Sequence, residues 1–273
     1  MEPVVVILTF NSEASIRETL TRAAQVTNQI FVIDSGSTDS TLEIAMSEGV
    51  TCLHHAFISY GEQRNWAISA VAERSHAWQL HLDADEALTD GLIDEIRGLP
   101  VQPAFDGYLI PRYVKFLGRV LKHNLAPTYH MRLFAPGMGA CEKRKYDQHF
   151  VCFGSVGKLL NSVIDDNRMP LTEWTRRHNL WADAEVQELL AETSGAEVRI
   201  KAFGNAIERR RFLRSVYEKF PLFSRPFFLF VHRYILGRGF LDGKEGLIFC
   251  VLQTFWFRFL IDAKLYELQR RRY

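Results

Sequence analysis

Three acidic residues close an apolar stretch of this sequence. In "WQLHLDADEALTD", residues 78–90, the carboxylates of Asp83, Asp85 and Glu86 follow directly after "WQLHL". Asp83 and Asp85 are two residues apart, so on an extended segment they face the same side and repel each other unless a cation lies beside them. Carboxylate and phosphate oxygens are the usual ligands of Mg²⁺ and Mn²⁺. The stretch predicts a divalent-cation site, with a solvated acidic turn as the alternative.

A second polar cluster follows another apolar run, in "VIDSGSTDST". Asp34 ends this run and could accept hydrogen bonds from a nucleobase or a sugar. Gly36 is suited to a tight turn, and Asp39 is either a ligand or the cap of the next helix. The sequence contains no G-x-G-x-x-G or Walker pattern, so a phosphate cradle of either type is not expected.

Strand-length apolar runs alternate with helix-period segments over the first part of the chain. The predicted strands cover residues 4–10, 29–35, 50–55 and 77–85, and the predicted helices cover 12–24, 37–49 and 60–72. This βαβαβαβ order predicts a parallel sheet with helices on its faces. Such sheets bind ligands at the carboxyl ends of their strands, which is where the polar clusters fall.

The composition limits the kind of protein. The chain has 273 residues, 47% of them hydrophobic, enough for one large domain or a medium domain with an appendage. The four cysteines form no C-x-x-C pair, which disfavours a zinc cluster or a disulfide framework and fits a reducing compartment. The beginning of the chain shows no pattern of a secretory signal.

The net charge of +1 hides an asymmetry. Residues 201–273 carry fifteen Lys and Arg against six Asp and Glu, a local charge of +9 that leaves −8 for residues 1–200. The basic part also contains many large aromatic side chains. No RNA-binding module accompanies them, so nucleic acid is not an expected partner, and an anionic membrane surface fits better.

The last predicted helix carries a narrow polar stripe. Thr254, Arg258 and Asp262 follow at four-residue spacing, and the rest of the helix surface is apolar. A helix of this kind must be covered by protein, by a partner subunit or by lipid. We expect peripheral attachment to a membrane, with packing on the domain or a homo-oligomer as the alternative.

Four motifs in the first half resemble family 2 of the nucleotide-sugar glycosyltransferases. "VVVILTFNSE" is similar to the opening strand of that family, "VIDSGSTDST" to its second strand, "GEQRNWAI" to its Gly-x-x-Arg-Asn helix and "HLDADE" to its D-x-D motif. The motifs have the family's order and spacing over residues 1 to about 135. The tail "GFLDGKEGLIFCVLQTFWFRFLIDAKLYE" resembles the bacterial lipopolysaccharide-core glucosyltransferase subgroup.

The resemblance implies a fold and an activity. The fold would be α/β of the GT-A (Rossmann-like) type, a mostly parallel sheet flanked by helices and followed by a helical C-terminal extension. A catalytic domain would cover 1–170, with a nucleotide-sugar half at 1–100 and an acceptor half at 101–170, followed by a helical region at 171–273. The enzyme would transfer a sugar with inversion from a nucleotide sugar, typically a UDP-sugar, to a saccharide or lipid-linked acceptor in envelope polysaccharide or lipopolysaccharide synthesis. It would work at the cytoplasmic face of the inner membrane.

The resemblance also implies roles for residues of the site. The nucleotide pocket would contain Thr9, Asn11, Glu13 and Asp34, with Asp34 on the base and Arg64 near the base and diphosphate. Asp85 would bind Mg²⁺ or Mn²⁺, Asp83 would contact the ribose or water on the metal, and Glu86 would support them. For Arg64 a surface ion pair with Glu62 or Glu73 is the alternative.

An inverting enzyme needs a base for the acceptor hydroxyl. Relatives often carry a His-Glu pair where this chain has Asp147-Gln148-His149. Asp147 is the first candidate because it is a carboxylate, His149 the second because its ordinary pKa is near neutral, and Glu142 the third. A histidine hydrogen-bonded within the fold is the alternative for His149.

Two other functions fit parts of the sequence. A nucleotidyltransferase would also use nucleotide and Mg²⁺, but its Gly-rich loop with a basic residue is missing from "TFNSEAS". A degenerate, membrane-bound scaffold would explain the altered base motif, whereas the retained Asp34, Asp83 and Asp85 disfavour it.

Overall fold

The computed structural model describes residues 1–143, 148–190 and 206–271, which group into two compact units. The first unit contains Met1–Lys115, Thr128–Lys143 and Gln148–Arg168. The second unit contains Phe116–Pro127 and the described residues from Met169 onward. The predicted domain boundary between 170 and 171 stays a prediction.

The first four strands and the first three helices follow the predicted alternation. The strands are β1 (Val4–Thr9), β2 (Ile30–Asp34), β3 (Thr51–His54), β4 (Gln79–Asp83), β5 (Glu86–Leu88), β6 (Gly107–Phe116), β7 (Arg119–Val120), β8 (Thr128–Phe134), β9 (Gly139–Cys141), β10 (Phe150–Cys152), β11 (Val156–Lys158) and β12 (Val163–Asp166). The helices of the first unit are α1 (Ile16–Ala23), α2 (Thr41–Ser47), α3 (Tyr60–Ala72) and α4 (Asp90–Arg97). The predicted βαβαβαβ order is confirmed.

Side-chain caps fix where two of these helices begin. The Ser59 hydroxyl accepts a hydrogen bond from the Glu62 amide at the start of α3. The Thr89 hydroxyl accepts one from the Leu92 amide at the start of α4. Each cap satisfies an amide that the helix itself leaves without a partner.

The main sheet has the strand order β3-β2-β1-β4-β8-β6-β12-β5, with β11 also paired to β6. Strands β1 to β4 are mutually parallel, whereas β8 is antiparallel to both of its neighbours. In this register Thr9 lies opposite Asp34, and Leu8 lies opposite Asp83. The carboxyl ends of β1, β2 and β4 therefore bring the predicted polar clusters to one edge of the sheet.

Strand β1 is buried on both faces of the sheet. Val5 and Ile7 pack with Leu20 of α1 in one core cluster. Val4 and Val6 pack with apolar side chains of α3 in another. Because both faces are covered, the strand needs apolar residues at consecutive positions rather than at alternate ones. This explains the unbroken run "VVVIL".

The described part of the second unit is mainly helical. Its helices are α5 (Leu171–Leu190), α6 (Ala206–Tyr217), α7 (Ser224–Val231), α8 (Gly243–Phe249) and α9 (Phe257–Arg271), with π-helical segments His232–Leu236 and Cys250–Trp256 and a 3-10 turn at Gly239–Asp242. The run Gly239–Arg271 is the one helical stretch of the described chain that is long and apolar enough to cross a membrane, by length and composition. About a third of its most apolar part is buried.

The predicted polar stripe of the last helices points into the second unit. Thr254 and Asp262 are almost completely buried, and Arg258 pairs with Glu185 of α5. Large apolar side chains of the same run are exposed instead, among them Phe259. The helix is thus polar toward protein and apolar toward its surroundings.

Candidate active site

The loops after β1 and β2 are tied to each other by side chains of the first loop. The Asn11 carboxamide oxygen accepts a hydrogen bond from the Thr38 amide at 2.8 Å. The Glu13 carboxylate accepts one from the Ser40 amide at 3.0 Å. Both side chains are exposed at the rim of the sheet edge. Their predicted contact with a nucleotide stays a prediction, since both now have a role in fixing the loop.

Asp34 is buried and shapes the turn that follows β2. Its Oδ2 accepts hydrogen bonds from the amides of Gly36 and Ser37, at 2.8 and 2.9 Å. Gly36 has a φ of +96°, a conformation that glycine adopts at low cost. Asp39 accepts hydrogen bonds from the Thr41 amide and from the Glu13 amide, but the N-cap residue of α2 is Ser40, so the prediction of Asp39 as the N-cap is wrong by one residue. Base recognition by Asp34 stays a prediction.

Thr9 ends β1 with a buried hydroxyl. Its Oγ1 has no hydrogen-bond partner within the described residues. Buried hydroxyl groups without a partner are unfavourable, and they commonly mark a place where a ligand or water binds. The side chain of Thr9 therefore remains a candidate for contact with a bound nucleotide.

Arg64 is fully buried beneath the acidic triplet. Its Nη2 donates to the Leu82 carbonyl at 3.0 Å and pairs with Asp83. Its Nε donates to the Tyr60 hydroxyl at 3.2 Å. The alternative of a surface ion pair with Glu62 or Glu73 is wrong, because the side chain points inward from α3. Arg64 neutralises Asp83 directly.

Arg132 of β8 joins two of the three acids. Its Nη2 donates to Oδ2 of Asp83 at 2.7 Å and to Oε1 of Glu86 at 2.6 Å. Glu86 is completely buried, and its other oxygen accepts the Asp83 amide at 3.0 Å. Burial opposes the charged form of Asp83, but Arg132 and Arg64 hold the pKa of this carboxyl well below its ordinary value.

The pairing continues along neighbouring strands. Arg112 of β6 lies 3.8 Å from the Glu86 carboxylate and 3.2 Å from that of Asp165 in β12. Three arginines therefore alternate with three carboxylates, in a set that we call the ion-pair chain: Arg64, Asp83, Arg132, Glu86, Arg112 and Asp165. Each of its carboxylates is compensated by at least one guanidinium group.

Asp85 is the one acid of the triplet that does not belong to the ion-pair chain. Apart from a contact with its own backbone amide, its carboxylate makes no hydrogen bond or ion pair within the described chain, while its carbonyl oxygen accepts the Asp166 amide at 2.8 Å. Burial raises the pKa of Asp85 well above its ordinary value, and the negative charges of Asp165, Asp83 and Glu86 raise it further. Asp85 is thus the acid of the triplet that has no guanidinium partner in the described chain, and its ionisation is opposed by its surroundings.

A divalent cation would favour the ionised form of Asp85 and would supply the partner that this carboxylate lacks in the described chain. No group of three or more His, Cys, Asp or Glu side chains in residues 1–143, 148–190 and 206–271 is arranged to hold a metal ion alone. Mg²⁺ is usually held by one or two carboxylates together with substrate phosphates, so a single carboxylate is enough where a diphosphate binds. Asp85 is the residue that would hold the cation.

Helix α3 also fixes the segment with the candidate bases. The Asn65 side chain donates to the Cys141 carbonyl and accepts from the Cys141 amide, both at 2.8 Å. One turn earlier, a side chain at Gly61 would collide with the carbonyl oxygen of Glu142. The Gly-x-x-Arg-Asn motif therefore has three structural tasks: close approach by Gly61, charge compensation by Arg64 and strand anchoring by Asn65.

Of the three candidate bases, the structure describes two. Glu142 and His149 are buried neighbours across the β9–β10 pair, where the His149 amide donates to Glu142 Oε2 at 2.9 Å. The ring of His149 packs edge-on against His130, with 6.1 Å between centroids. Asp147, the first candidate, lies outside the described residues.

Sequence reasoning missed several members of the site, namely Tyr60, Arg112, Arg132 and Asp165. Arg132 stands in "HMRLF" and Asp165 in "VIDD". For Arg132 the signal was a charged residue inside an otherwise apolar strand, because such a charge needs a partner when it is buried.

Comparison with known proteins identifies the class of this chain. The model of glycosyl transferase family 2 matches residues 4–159, more than half of the chain. The chain therefore belongs to glycosyl transferase family 2. It is a glycosyltransferase with the predicted GT-A type of α/β fold.

Individual relatives agree with this assignment. Uncharacterized glycosyltransferases of Rickettsia typhi and Rickettsia felis are 26% and 27% identical over 265 and 264 residues. Each alignment covers 96% of this chain, with 86% of the first relative and 88% of the second.

Among solved structures, S. aureus TarS in complex with UDP aligns with a TM-score of 0.47 at 14% identity, covering 98% of this chain and 92% of that one. Glucosyl-3-phosphoglycerate synthase from Mycobacterium tuberculosis, in complex with Mn²⁺, UDP and glucosyl-3-phosphoglycerate, aligns with a TM-score of 0.42 at 14% identity. That alignment covers 71% of this chain and 82% of the other.

Proposed function

We propose that this glycosyltransferase is metal-dependent and inverting, and that it moves a sugar from a nucleoside-diphosphate donor, a UDP-sugar, to a hydroxyl group of a saccharide or lipid-linked acceptor. The observation that carries the proposal is the carboxylate of Asp85, which lies in the turn after β4 and has no guanidinium partner in the described chain. It lies at the edge where parallel sheets bind nucleotides. A dication there would pair with this carboxylate and would have coordination positions left for a diphosphate.

The cation would be Mg²⁺ or Mn²⁺, held by Asp85. When bound, it supplies Lewis-acid stabilisation of the negative charge on the departing diphosphate. Asp83, fixed by Arg64 and Arg132, keeps its side chain 28% exposed and can contact the ribose or a water molecule. Thr9, Asn11, Glu13 and Asp34 border the same edge and would position the nucleoside.

Inversion requires a base that takes the proton of the acceptor hydroxyl while that oxygen attacks the anomeric carbon. Asp147 remains our first candidate. His149 and Glu142 lie in the segment that Asn65 anchors to α3, which holds this segment on the helix that also supplies Arg64. The anchoring supports a role of Glu142 and His149 at the site.

The second unit supports attachment to a membrane surface. Its last helices bury their polar stripe and expose Phe and Leu side chains, the arrangement expected of a protein that meets lipid. Arg258 and Asp262 pair with groups on neighbouring helices. Because these pairs keep the run Gly239–Arg271 in its bundle, we propose that it lies at the cytoplasmic face of the inner membrane rather than spanning it.

A membrane position fits a lipid-linked acceptor. We propose an acceptor of the lipopolysaccharide core, in line with the resemblance of the C-terminal sequence. The exposed apolar surface of the second unit supports the proposal because an acceptor anchored in lipid is most accessible to an enzyme at the same surface.

A donor screen tests the function. The protein is incubated with Mn²⁺ and a panel of nucleotide sugars, with and without bacterial lipid extract, and the release of nucleoside diphosphate is measured. We expect release from one donor, stimulated by the extract and lost in Asp85→Asn. If no donor binds or is turned over, the assignment of a nucleotide-sugar donor fails.

A further inference from the structure

Two helical stretches of the second unit are joined by a short turn. Helix α7 packs against the π-helical segment Cys250–Trp256, so the chain reverses direction between them. We call residues 235–244 the tip segment, and it contains the 3-10 turn Gly239–Asp242. The residues assigned to the candidate active site all lie outside it.

Large apolar side chains of the tip segment are open to solvent. Leu236 is 71% exposed and Phe240 is 48% exposed, and Ile235 and Leu241 are exposed as well. Exposed apolar groups that occur together mark a surface that meets a partner or a lipid bilayer. The tip segment is therefore a candidate contact surface.

Basic side chains flank the same turn. Arg238 precedes the turn and Lys244 follows it, and both residues are exposed. Lys122 is also exposed, and its backbone amide donates a hydrogen bond to Asp242 at 3.1 Å. None of these three basic side chains forms an ion pair with any residue that the structure describes. Their charges are available to an anionic partner.

The two acids next to the turn are engaged within the protein. Asp242 is almost fully buried, accepts the Lys122 and His123 amides at 3.1 and 2.9 Å, and lies 2.8 Å from Nδ1 of His123. Glu245 lies 3.7 Å from the guanidinium group of Arg119. The charge that the turn presents to solvent is thus mainly positive.

A second loop holds the turn in place. The Asn124 amide donates to the Gly237 carbonyl at 2.9 Å, and Nη2 of Arg119 donates to the Leu241 carbonyl at 3.4 Å. Together with the bonds to Asp242, these contacts fix the turn from several sides. A turn that is already fixed loses little conformational entropy when it binds.

We propose that the tip segment inserts its apolar side chains into a bilayer that contains anionic phospholipid, with Lys122, Arg238 and Lys244 at the headgroups. The combination carries the inference, because apolar groups alone would not distinguish anionic from zwitterionic lipid, and basic groups alone would not require a bilayer. The inference rests on the proposed attachment to a membrane. It adds the segment and the lipid charge on which that attachment depends.

Cosedimentation of the full-length protein with two kinds of vesicle tests the inference. One kind is phosphatidylcholine alone, and the other is phosphatidylcholine with phosphatidylglycerol. At low salt, the parent protein should bind the anionic vesicles at least about thirty-fold more tightly, because each basic residue near an anionic surface contributes about five-fold. The variant Lys122→Gln/Arg238→Gln/Lys244→Gln should lose most of this preference. The variant Phe240→Ser/Leu241→Ser should bind the anionic vesicles at least about ten-fold more weakly than the parent protein.

The charge-matched control is Arg74→Gln/Arg97→Gln/Lys158→Gln, which removes three exposed basic residues of the first unit. This control should bind both kinds of vesicle like the parent protein, and circular dichroism checks that every variant folds. The inference is overturned if the triple variant of the tip segment binds like the control, if the double Ser variant binds like the parent, or if the parent binds both kinds of vesicle equally. These outcomes leave attachment to a membrane intact, whereas a parent protein that binds neither kind of vesicle would refute the attachment itself.

Discussion

The Nη2 atom of Arg132 lies 2.6 Å from Oε1 of Glu86, a carboxylate with no exposed surface. The same nitrogen atom lies 2.7 Å from Asp83. One guanidinium group therefore compensates two of the three acids of the triplet. Buried ions that lose their partner are strongly destabilising, which gives Arg132 a measurable role.

Removal of the Arg132 charge should destabilise the protein severely. We expect Arg132→Met to lower the free energy of unfolding by about 3–5 kcal/mol, because Glu86 and Asp83 would be left with too little compensation. Arg132→Lys keeps the positive charge and should lower the free energy of unfolding by less than Arg132→Met does. Urea denaturation followed by circular dichroism measures the free energy of unfolding of both variants.

Arg17→Met is the control. Arg17 is 59% exposed and pairs with Glu48, so its loss should lower the free energy of unfolding by less than about 1 kcal/mol. Equal effects of the two Met variants would contradict the ion-pair chain.

The substitutions Asp83→Asn and Asp85→Asn should shift the thermal midpoint of unfolding in opposite directions. In protein freed of divalent ions at neutral pH, Asp85→Asn should raise the thermal midpoint, because it removes a carboxylate without a guanidinium partner whose ionisation is opposed by burial and by the neighbouring acids. Asp83→Asn should lower it because Arg64 and Arg132 lose a partner. Thermal unfolding in the presence of EDTA measures both, and midpoints that move in the same direction would contradict the assignment.

The gain from Asp85→Asn should depend on pH. The folded-state pKa of Asp85 is raised, so the contribution of this residue to stability is present at low pH and is lost as pH rises through the folded-state pKa. The advantage of the Asn variant should therefore be largest at neutral pH and should vanish below the ordinary range for Asp. If the stability gained by Asp85→Asn increased as the pH fell, the raised folded-state pKa of Asp85 would be contradicted.

Loss of the Asn65 anchor should loosen the strand β9 at Cys141. Asn65→Ala removes two hydrogen bonds to Cys141 and should cost about 1–3 kcal/mol, with faster hydrogen exchange at the Cys141 amide. Asn161→Ala serves as the control because its side chain bonds to Glu95 at the exposed surface. Unchanged exchange at Cys141 in Asn65→Ala would show that other contacts hold this strand.

The apolar surface of the second unit should govern binding to lipid. Leu236→Asp should reduce cosedimentation with vesicles that contain anionic phospholipid by at least about ten-fold, since a charge is unfavourable at an apolar membrane contact. Leu160→Asp is the matched control in the first unit, where Leu160 is 87% exposed. Failure of the parent protein to bind such vesicles at low salt would refute the membrane attachment.

Local patterns in the sequence were sufficient to predict half of the fold and part of the site. The alternation of strands and helices placed Thr9, Asp34 and Asp83 at one sheet edge, because the carboxyl ends of neighbouring parallel strands meet there. The register confirms this, with Thr9 opposite Asp34 and Leu8 opposite Asp83.

The ion-pair chain could not be predicted in the same way. Arg132 reaches Asp83 because antiparallel β8 inserts between β4 and β6, and strand order in the second half of the sheet leaves no periodic mark in the sequence. The sequence assigned different roles to the three acids only through the family resemblance, without any sign of their partners. The partners supplied by β6, β8 and β12 are what distinguish Asp85 from Asp83 and Glu86.

Binding of Mn²⁺ in the presence of UDP, followed by electron paramagnetic resonance, tests the central claim most directly. The parent protein should bind one Mn²⁺ per chain with UDP, and Asp85→Asn should bind it at least about ten-fold more weakly. Asp94→Asn, a change on the exposed face of α4, should leave binding unchanged. Binding by Asp85→Asn that equals the parent, or no binding by the parent with UDP present, would contradict the assignment of Asp85 as the carboxylate that holds the cation.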